Sequence, residues 1–282
     1  MIARVPASSA NLGPGFDTLA VALNLYVEVS VEPARSFSIT SEGFGAGRFD
    51  GPDHLAAVVA RETLGHSNFK LHVNSEIPLS RGLGSSAALA VAAAAAAGAH
   101  DPLAIGTEVD GHAENAAASL LGGLVAASVH ERDGIVARSL ALDEAWRFVV
   151  VIPDQELATA EARRVLPASV PLRDAVHNLN AMGLLIAGMA DHRDFVPWAM
   201  EDHLHQPYRM GLLPFAAELL DFLRAAGAAG SCWSGAGSTI LALVLDEFAT
   251  HVRDQALDYL EVHRIPGTAL VLEADRVGLV TS

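Results

Sequence analysis

The sequence predicts a mixed α and β fold made of two units. Strand patterns come early in the chain, where residues 25–31 alternate between apolar and polar side chains and residues 69–77 form an extended run. Helical periodicity dominates the second half, before residues 239–244 return to strand character. A chain of 282 residues also exceeds one average domain. We therefore predict a first unit at 1–152 and a second at 153–282.

The first unit begins with a strand, a turn and a second strand. Residues 1–35 contain the turn Gly13-Pro14-Gly15, after which the alternating pattern indicates a half-buried strand. The extended run that follows leads through a glycine-rich loop into an Ala-rich helix from about Ser85 to Ala97. Gly98 and Pro102 are typical of the end of such a helix. Strand, loop and helix are predicted to form one unit.

The later elements are predicted from their apolar spacing. A short continuous apolar run is typical of a buried strand, and apolar residues three and four positions apart indicate a helix. No repeat of fixed period, long linker or charged tail is visible. The predicted elements are a helix at about 103–120, a strand after Gly122-Gly123, a buried strand at 148–153, helices at 173–190 and 214–226, and a strand at 239–244.

Composition excludes several classes of partner. The chain has 33 acidic and 18 basic side chains, a formal charge of −15, which repels nucleic acid but leaves local sites for small anions. The longest apolar run, Ala87 to Ala99, spans about 13 residues and is too short to cross a membrane. The N-terminus has no pattern of a secretory signal, and a single cysteine, Cys232, cannot form an internal disulfide. A cytoplasmic location is predicted.

The glycine-rich loop Pro78–Ala88 is the most informative segment. Its glycines allow backbone N–H groups to converge on an anion at the start of the helix, which is how proteins often hold phosphate. The chain has a single lysine, Lys70, so the lysine-containing P-loop motif is absent. A nucleotide would need another kind of phosphate site.

Two alternatives compete for the same glycines. The pattern at 82–87 fits the dinucleotide-binding G-x-G-x-x-A motif, with Asp101 further along, but residues 78–81 intervene where that fold requires a tight turn. The pair Ser85-Ser86 instead suggests hydroxyls for phosphate or Mg²⁺. A plain glycine turn with a serine N-cap is the structural alternative. Three further segments rich in glycine or small polar residues are predicted to be binding loops, at 6–17, 110–115 and 234–239.

The segments 6–17, 78–88 and 234–239 resemble the three signature motifs of the GHMP small-molecule kinases. Further matches, to the branch that phosphorylates L-homoserine, are Gly-His-Ala-Glu-Asn at 111–115, Thr-Ala-Glu-Ala-Arg at 159–163 and the segment 202–209. The resemblance implies an α+β fold of two domains. These are an N-terminal ribosomal-protein-S5-like α/β domain and a C-terminal ferredoxin-like α/β sandwich, with the active site between them.

The resemblance implies transfer of the γ-phosphoryl group of ATP to the hydroxyl of L-homoserine, giving O-phospho-L-homoserine for threonine biosynthesis. This zwitterion requires a carboxylate for its ammonium and guanidinium groups for its carboxylate, and Asp17, Arg163 and Arg209 fit these roles. Taken alone, either arginine could be an exposed helix charge. The implied substrate-binding residues are Asn11, Asp17, His112, Arg163 and Arg209, and Asn115, Thr159 and Asp110 are the implied catalytic residues.

ATP and Mg²⁺ are the implied cofactors. The residues implied for ATP binding are Pro78, Arg81, Gly82, Leu83, Gly84, Ser85, Ser86 and His54. Mg²⁺ prefers oxygen ligands, so Ser86 and Asp110 are the candidate metal ligands. The implied partners are these small molecules, without nucleic acid or membrane, and a homodimer is left open.

Some positions depart from the family pattern: Asp110 replaces Glu, Glu114 replaces Asp, His54 replaces Asn and Ser238 replaces Pro. His54 leaves the nucleotide preference open, because imidazole presents a donor and acceptor unlike those of an amide. A GHMP kinase with a mevalonate-type or sugar acceptor, or a non-catalytic paralogue that binds nucleotide or amino acid, remains an alternative. His203 and His205 are interpreted as structural, since residues two apart on a helix point to different sides.

Overall fold

A seven-stranded sheet forms most of the N-terminal half. The structure is a computed structural model that describes residues 1–282. The strands are β1 (Ile2–Ala10), β2 (Leu19–Pro33), β3 (Ser38–Gly43), β4 (Phe69–Ser75), β5 (Leu124–His130), β6 (Gly134–Leu140) and β11 (Val280–Thr281). The order is β11-β1-β2-β4-β3, while β5 pairs with β2 and β6 with β5. Only β3 and β4 run parallel to each other.

A second sheet of four antiparallel strands forms the C-terminal half. Its strands are β7 (Trp146–Pro153), β8 (Gly230–Trp233), β9 (Ile240–Leu245) and β10 (Gly267–Leu272). The order β10-β7-β9-β8 places β7 and β9 at the centre. Both central strands are almost continuously apolar and buried, as expected for strands that are covered on both faces.

Nine helices pack around the two sheets. They are α1 (Leu55–Leu64), α2 (Ser85–Ala96), α3 (Pro102–Asp110), α4 (Glu114–Leu121), α5 (Thr159–Arg164), α6 (Leu172–Ala190), α7 (Gln206–Arg209), α8 (Ala216–Ala225) and α9 (Asp246–Val262). The Ala-rich α2 is buried nearly all round, against β1, β2 and the helices α1, α3 and α4. Alanine side chains are small enough for this close approach on every side. Helices α8 and α9 cover one face of the second sheet.

One apolar core continues from the first sheet into the second. It contains 43 buried residues, among them Phe148 and Val150 of β7, whose side chains point towards the first sheet. The alternating residues Val149 and Val151 point the other way, into a cluster of 20 residues formed with α8 and α9. Because the two halves share a core, the cleft between them has walls that are held in place by packing.

The mixed α and β prediction is confirmed, but two local predictions need correction. The helix predicted at 103–120 is two helices, because Gly111 ends α3 with a φ of 80°. The segment 6–17 is a loop only from Asn11 onwards, since Pro6–Ala10 form the buried end of β1. The small side chains there allow β1 to lie directly against α2.

The change of sheet falls one strand earlier than the predicted boundary. β7 lies in the second sheet, whereas the predicted first unit, 1–152, includes most of it. A continuous apolar run predicts a buried strand but not the sheet to which that strand belongs. The boundary predicted from the sequence therefore lies after β7 instead of before it. The chain also returns to the first sheet at its end, where β11 pairs with β1.

Candidate active site

The glycine-rich loop lies where the two halves of the molecule meet. Gly82 has a φ of 76°, and a Cβ atom there would lie 2.1 Å from the carbonyl oxygen of Ser234. Gly84 has a φ of 66°, and a Cβ atom there would lie 2.1 Å from Oγ of Ser8. Only glycine combines a left-handed backbone with such close approach. The loop is therefore fixed between β1 and the segment 234–237.

The N-terminus of α2 presents free backbone donors next to this loop. Gly84 occupies the N-cap position and offers no side-chain acceptor to the first turn of the helix. The N–H groups at the start of a helix have no partner within the helix and carry the positive end of its dipole. This end of α2 is thus suited to a phosphate group.

A small polar pocket of about 90 Å³ opens beside this helix end. Both halves of the chain contribute to it, so residues far apart in sequence meet there. Twelve residues predicted for the site line the pocket: Asn11, Asp17, Gly82, Gly84, Ser85, Ser86, Asp110, His112, Asn115, Thr159, Arg163 and Arg209.

Asp17 and Arg163 form a two-pronged ion pair in this pocket. Nη1 and Nη2 of Arg163 donate to the two carboxylate oxygens of Asp17 at 3.1 and 2.5 Å. Asn11 holds the aspartate by accepting its backbone N–H at 3.0 Å, and donates to the carbonyl oxygen of Gly235 at 2.9 Å. The sequence predicts that Asp17 and Arg163 bind two different groups of the substrate. In the structure the two side chains bind each other.

Arg209 is buried, and most of its donors are used within the protein. Only 1% of the residue is exposed. Nε donates to the carbonyl oxygen of Ala162 at 3.2 Å, and Nη1 donates to Gly235 O and to Nδ1 of His205, each at 3.1 Å. Burial, together with the nearby Arg163, lowers the pKa of Arg209 to about 10, which leaves it charged at neutral pH. The two hydrogens on Nη2 remain for a ligand.

His205 holds Arg209 as a neutral ring of defined tautomer. Its Nε2 lies 2.9 Å from the carbonyl oxygen of Gly13, which can only accept, so Nε2 carries the hydrogen and Nδ1 accepts from Arg209. Burial lowers the pKa of His205 to about 4. The carboxylate of Asp202 accepts three backbone N–H groups at 204–206. These contacts agree with the structural interpretation of His205.

A cluster of acids surrounds His112 in the same pocket. Its Nδ1 lies 3.4 Å from Asp110 Oδ2 and 3.7 Å from Glu114 Oε1. Only 2% of Glu114 is exposed, and burial raises its pKa to about 7. The close approach of the Asp110 carboxylate raises the pKa of His112. Asn115 is fixed here, because its amide donates to Asp110 at 3.0 Å and accepts from Ser8 at 2.9 Å.

A larger cavity of about 330 Å³ adjoins the polar pocket and shares Ser85 and Ser86 with it. Its walls include the aromatic rings of Phe44 and Phe49. His54 also lines it and caps α1, since its Nδ1 accepts the N–H of Ala56 at 3.2 Å. Burial lowers the pKa of His54, so the ring is neutral. The cavity therefore offers flat apolar surfaces next to a helix end that is suited to a phosphate group.

Two family models match the chain: the GHMP kinases N terminal domain at residues 53–123 and the GHMP kinases C terminal at residues 172–257. The homoserine kinase of Moorella thermoacetica is 41% identical over 256 residues, or 86% of each chain. That of Desulfitobacterium hafniense is 35% identical over 299 residues, covering 98% of this chain and 97% of its own. The chain belongs to the homoserine kinase branch of the GHMP kinase family.

Solved structures agree with this membership. The crystal structure of homoserine kinase from Cytophaga hutchinsonii matches this GHMP kinase with a TM-score of 0.85 at 27% identity, covering 99% of this chain and 96% of that one. Kinase membership implies the use of ATP. None of the helices combines the length and apolar character that crossing a membrane requires.

Three residues predicted to bind ATP do not line the two cavities of this GHMP kinase. Pro78 and Arg81 line a cleft that adjoins the larger cavity, where Arg81 donates to the carbonyl oxygen of Asp154 at 2.5 Å. The side chain of Leu83 is packed in the core, with 1% exposed, and lines neither cavity. The sequence pattern locates the loop, but it does not say which side chains of the loop point into the site.

Other residues of the GHMP kinase site carry contacts that sequence reasoning missed. Ser8 orients Asn115, and the buried Glu114 lines the pocket. The ring of Phe16 lies beneath both arginines, 5.4 Å from the guanidinium carbon of Arg163 and 5.5 Å from that of Arg209. Ser8 and Phe16 belong to the first motif, and Glu114 directly precedes Asn115. Their closeness in sequence to predicted site residues is the signal that could have identified them.

Proposed function

We propose that this protein transfers the γ-phosphoryl group of ATP to the side-chain hydroxyl of L-homoserine, giving O-phospho-L-homoserine. The observation that carries the proposal is the convergence of Asp17, Arg163 and Arg209 in one pocket beside the N-terminus of α2. A phosphate-binding helix end and a site for both charges of a free amino acid are thereby adjacent.

The charged groups suit the two ends of the zwitterion. The free hydrogens on Nη2 of Arg209 are donors for its carboxylate. Asp17 and the acids around His112 line the same pocket and suit its ammonium group. Without a ligand, Asp17 and Arg163 neutralise each other's charge. A bound zwitterion would replace part of this ion pair, with its ammonium group near Asp17 and its carboxylate near Arg163.

The nucleotide would occupy the larger cavity, with its phosphates at the glycine-rich loop. Ser85 and Ser86 belong to both cavities, so the phosphate end of the nucleotide would lie beside the acceptor. The rings of Phe44 and Phe49 offer surfaces for a base, and His54 offers a neutral imidazole edge. ATP is the proposed donor.

Mg²⁺ fits the oxygen donors of Asp110 and Ser86, which line the same pocket, and when bound it would neutralise charge on the transferred phosphoryl group. Phosphoryl transfer through a loose transition state depends mainly on positioning and charge neutralisation. Asn115, held by Ser8 and Asp110, would orient the acceptor hydroxyl. Thr159 is exposed at the start of α5 and lines the same pocket, where it would lie beside the reacting groups.

A coupled assay of ADP release with MgATP tests the proposed reaction. We expect turnover that depends on L-homoserine and a product identified as O-phospho-L-homoserine by mass spectrometry. Mevalonate and sugar acceptors serve as the comparison panel. Turnover with one of these acceptors alone would indicate a different GHMP kinase, and calorimetric binding of both ligands without product would indicate a non-catalytic paralogue.

A further inference from the structure

A cluster of side chains that commonly bind metals lies outside the candidate active site, between α6 and the segment that follows Met200. It consists of His177 of α6 and of Glu201 and His203 in that segment. Each of the three offers one donor atom, and these atoms lie within 4.8 Å of one another. Imidazole nitrogens combined with a carboxylate oxygen are donors that suit zinc.

The backbone brings Glu201 and His203 to the same side of their segment. Residues two apart point to different sides of a helix, but both residues precede α7, which begins only at Gln206. Glu201 has a φ of −68° and a ψ of 141°, so the chain is extended there. Side chains two apart share one side of an extended segment, and Asp202 between them is buried. The structural interpretation of His203 assumed a helix that is absent at this position.

Asn178 fixes the two parts of the cluster relative to each other. Its Nδ2 donates to Asp202 Oδ1 at 2.8 Å, and its Oδ1 accepts the backbone N–H of His203 at 2.8 Å. Asn178 is itself buried and follows His177 directly on α6. The donor atoms are therefore held near one another before an ion binds, which lowers the entropic cost of binding.

Nε2 of His177 is a donor atom without a partner. The side chain is 26% exposed as a whole, but its Nε2 is buried and forms no hydrogen bond. Buried polar atoms in native proteins nearly always have a partner, and a bound ion is one explanation for an exception. Oε2 of Glu201 lies 3.5 Å from this nitrogen. Two ligands of a tetrahedral zinc ion are about 3.3 Å apart, so little movement would be needed.

His203 has the supporting carboxylate that metal-bound histidines usually have. Its Nδ1 lies 3.4 Å from Oδ1 of Asp174, one helical turn before His177 on α6. A hydrogen donated from Nδ1 to this carboxylate leaves Nε2 of the ring for an ion. Glu201 and His203 also line an open cavity of about 500 Å³, which gives an ion a path of entry.

A second group of similar residues has its donor atoms in use. In the group Asp143, Asp191 and His192, Oδ2 of Asp143 accepts the backbone N–H of His192 and lies 2.6 Å from its Nδ1. Both carboxylate oxygens of Asp191 accept from the guanidinium group of Arg193. An ion at this group would have to break these contacts, so it serves as the comparison.

We propose that His177, Glu201 and His203 bind one zinc ion, with Asp174 orienting His203 and a water molecule as the fourth ligand. The ion would link α6 to the segment 201–203. Mg²⁺ and Ca²⁺ prefer sites built from oxygen, so two imidazole ligands disfavour them. None of the three ligands lines the pocket of the proposed reaction, and the site does not depend on that reaction.

Calorimetric titration of the metal-free chain with ZnCl₂ tests the site, with MgCl₂ as the comparison. We expect one Zn²⁺ per chain and no matching binding of Mg²⁺. Asp174→Asn should weaken zinc binding by about 10–100-fold, and loss of a ligand in His177→Gln should weaken it further. His192→Asn is the matched control and should bind zinc as the native chain does. A native chain that does not bind zinc, or one that loses it in His192→Asn but not in His177→Gln, would overturn the proposal.

The acids around His112 are another place where zinc could bind, and His112→Asn separates the two sites. This variant should retain the zinc affinity of the native chain, because the proposed ligands are unchanged. Loss of zinc binding in His112→Asn, with native affinity in His177→Gln, would place the ion in the candidate active site and contradict the proposal.

Thermal unfolding measures whether the ion binds the folded chain at this position. ZnCl₂ should raise the Tm of the native chain, because an ion that binds only the folded state stabilises it. Glu201→Gln should fold normally without metal, since the side chain of Glu201 is 57% exposed, and its Tm should respond little to zinc. An equal rise in Tm for this variant and the native chain would contradict the ligand assignment.

Discussion

Arg209 shows how the orientation of one side chain depends on partners that never touch the substrate. Three of its five N–H hydrogens are used by Ala162, Gly235 and His205, so only Nη2 faces the pocket with both hydrogens free. His205 can accept from Arg209 only while its own hydrogen is on Nε2, towards Gly13. The neutral ring of His205, together with the carbonyl oxygens of Ala162 and Gly235, therefore fixes the position of this guanidinium group.

Two substitutions at His205 should separate its two contacts. Asn places an acceptor where Nδ1 lies and retains the contact with Arg209, whereas Gln places an amide where Nε2 lies and retains the contact with Gly13. Losing a hydrogen bond to a charged group costs about 1.5–3 kcal/mol, so we expect His205→Gln to raise the homoserine KM roughly tenfold or more. His205→Asn should change it much less. Steady-state kinetics with both substrates measures the effect.

The kcat and the KM for ATP should remain nearly constant in both variants. His203→Asn is the control, because its ring stacks on His177 and does not contact Arg209. An equal rise in homoserine KM for the Asn and Gln variants would show that His205 acts only by filling space.

Glu114 should make stability fall as pH rises. Its pKa is 4.5 in the unfolded chain and about 7 in the folded protein, so the folded state holds the extra proton between these values. The free energy of unfolding therefore decreases from pH 4.5 to 7, by about 3 kcal/mol for such a shift. His112, whose pKa is also raised, acts in the same direction. Glu114→Gln should reduce this decrease, measured by urea unfolding at pH 5 and pH 8.

Glu108→Gln is the matched control, because Glu108 is exposed on the neighbouring α3. In this variant the free energy of unfolding should decrease with pH as much as it does in the native chain. The same pH dependence in Glu114→Gln and the native chain would mean that Glu114 does not ionise over this range.

At the scale of elements, the start of α2 is positioned by loops from both halves. The segment 234–237 packs on Gly82, and β1 packs on Gly84. The sequence predicts the strand, loop and helix correctly because glycines and the Ala-rich run are strong local signals. It does not predict β3 or α1, whose short and weakly patterned sequences depend on packing for their stability.

Two glycine substitutions should distinguish backbone strain from steric contact. Gly84 and Gly98 have φ values of 66° and 83°, so alanine at either costs about 1–2 kcal/mol of stability. A Cβ at Gly84 would also collide with Ser8 and lie 3.2 Å from Asn115 Oδ1, whereas nothing lies within 4 Å at Gly98. We expect Gly84→Ala to raise the KM for ATP and lower Tm further than Gly98→Ala does. Equal kinetics in both variants would count against the loop as the phosphate site.

At the scale of the whole molecule, the shared core should make the two halves unfold together. Phe148 of β7 is fully buried in the core that both sheets contribute to. Calorimetry should show one transition whose calorimetric and van't Hoff enthalpies agree. Phe148→Ala should shift this single transition to a lower temperature and reduce the free energy of unfolding by about 3–5 kcal/mol.

Phe248→Ala is the control for this substitution, because Phe248 is 43% exposed. Two separate transitions in the native chain, or a loss confined to one half in Phe148→Ala, would show that the sheets are independent domains. The boundary that the sequence predicts after residue 152 would correspond to two independent domains. The core that continues across β7 instead favours a single cooperative unit.

The sequence by itself determined the family, the mixed α and β composition and the segments that build the site, because glycine loops and charged motifs are local signals. It located Asp17, Arg163 and Arg209 but not their relation to one another. Only the tertiary structure decided that Asp17 and Arg163 form a pair, that His205 fixes Arg209, and that the side chains of Arg81 and Leu83 point elsewhere. The physical reason is that hydrogen bonds between residues as far apart as 17 and 163 depend on how the two sheets pack, which no local pattern encodes.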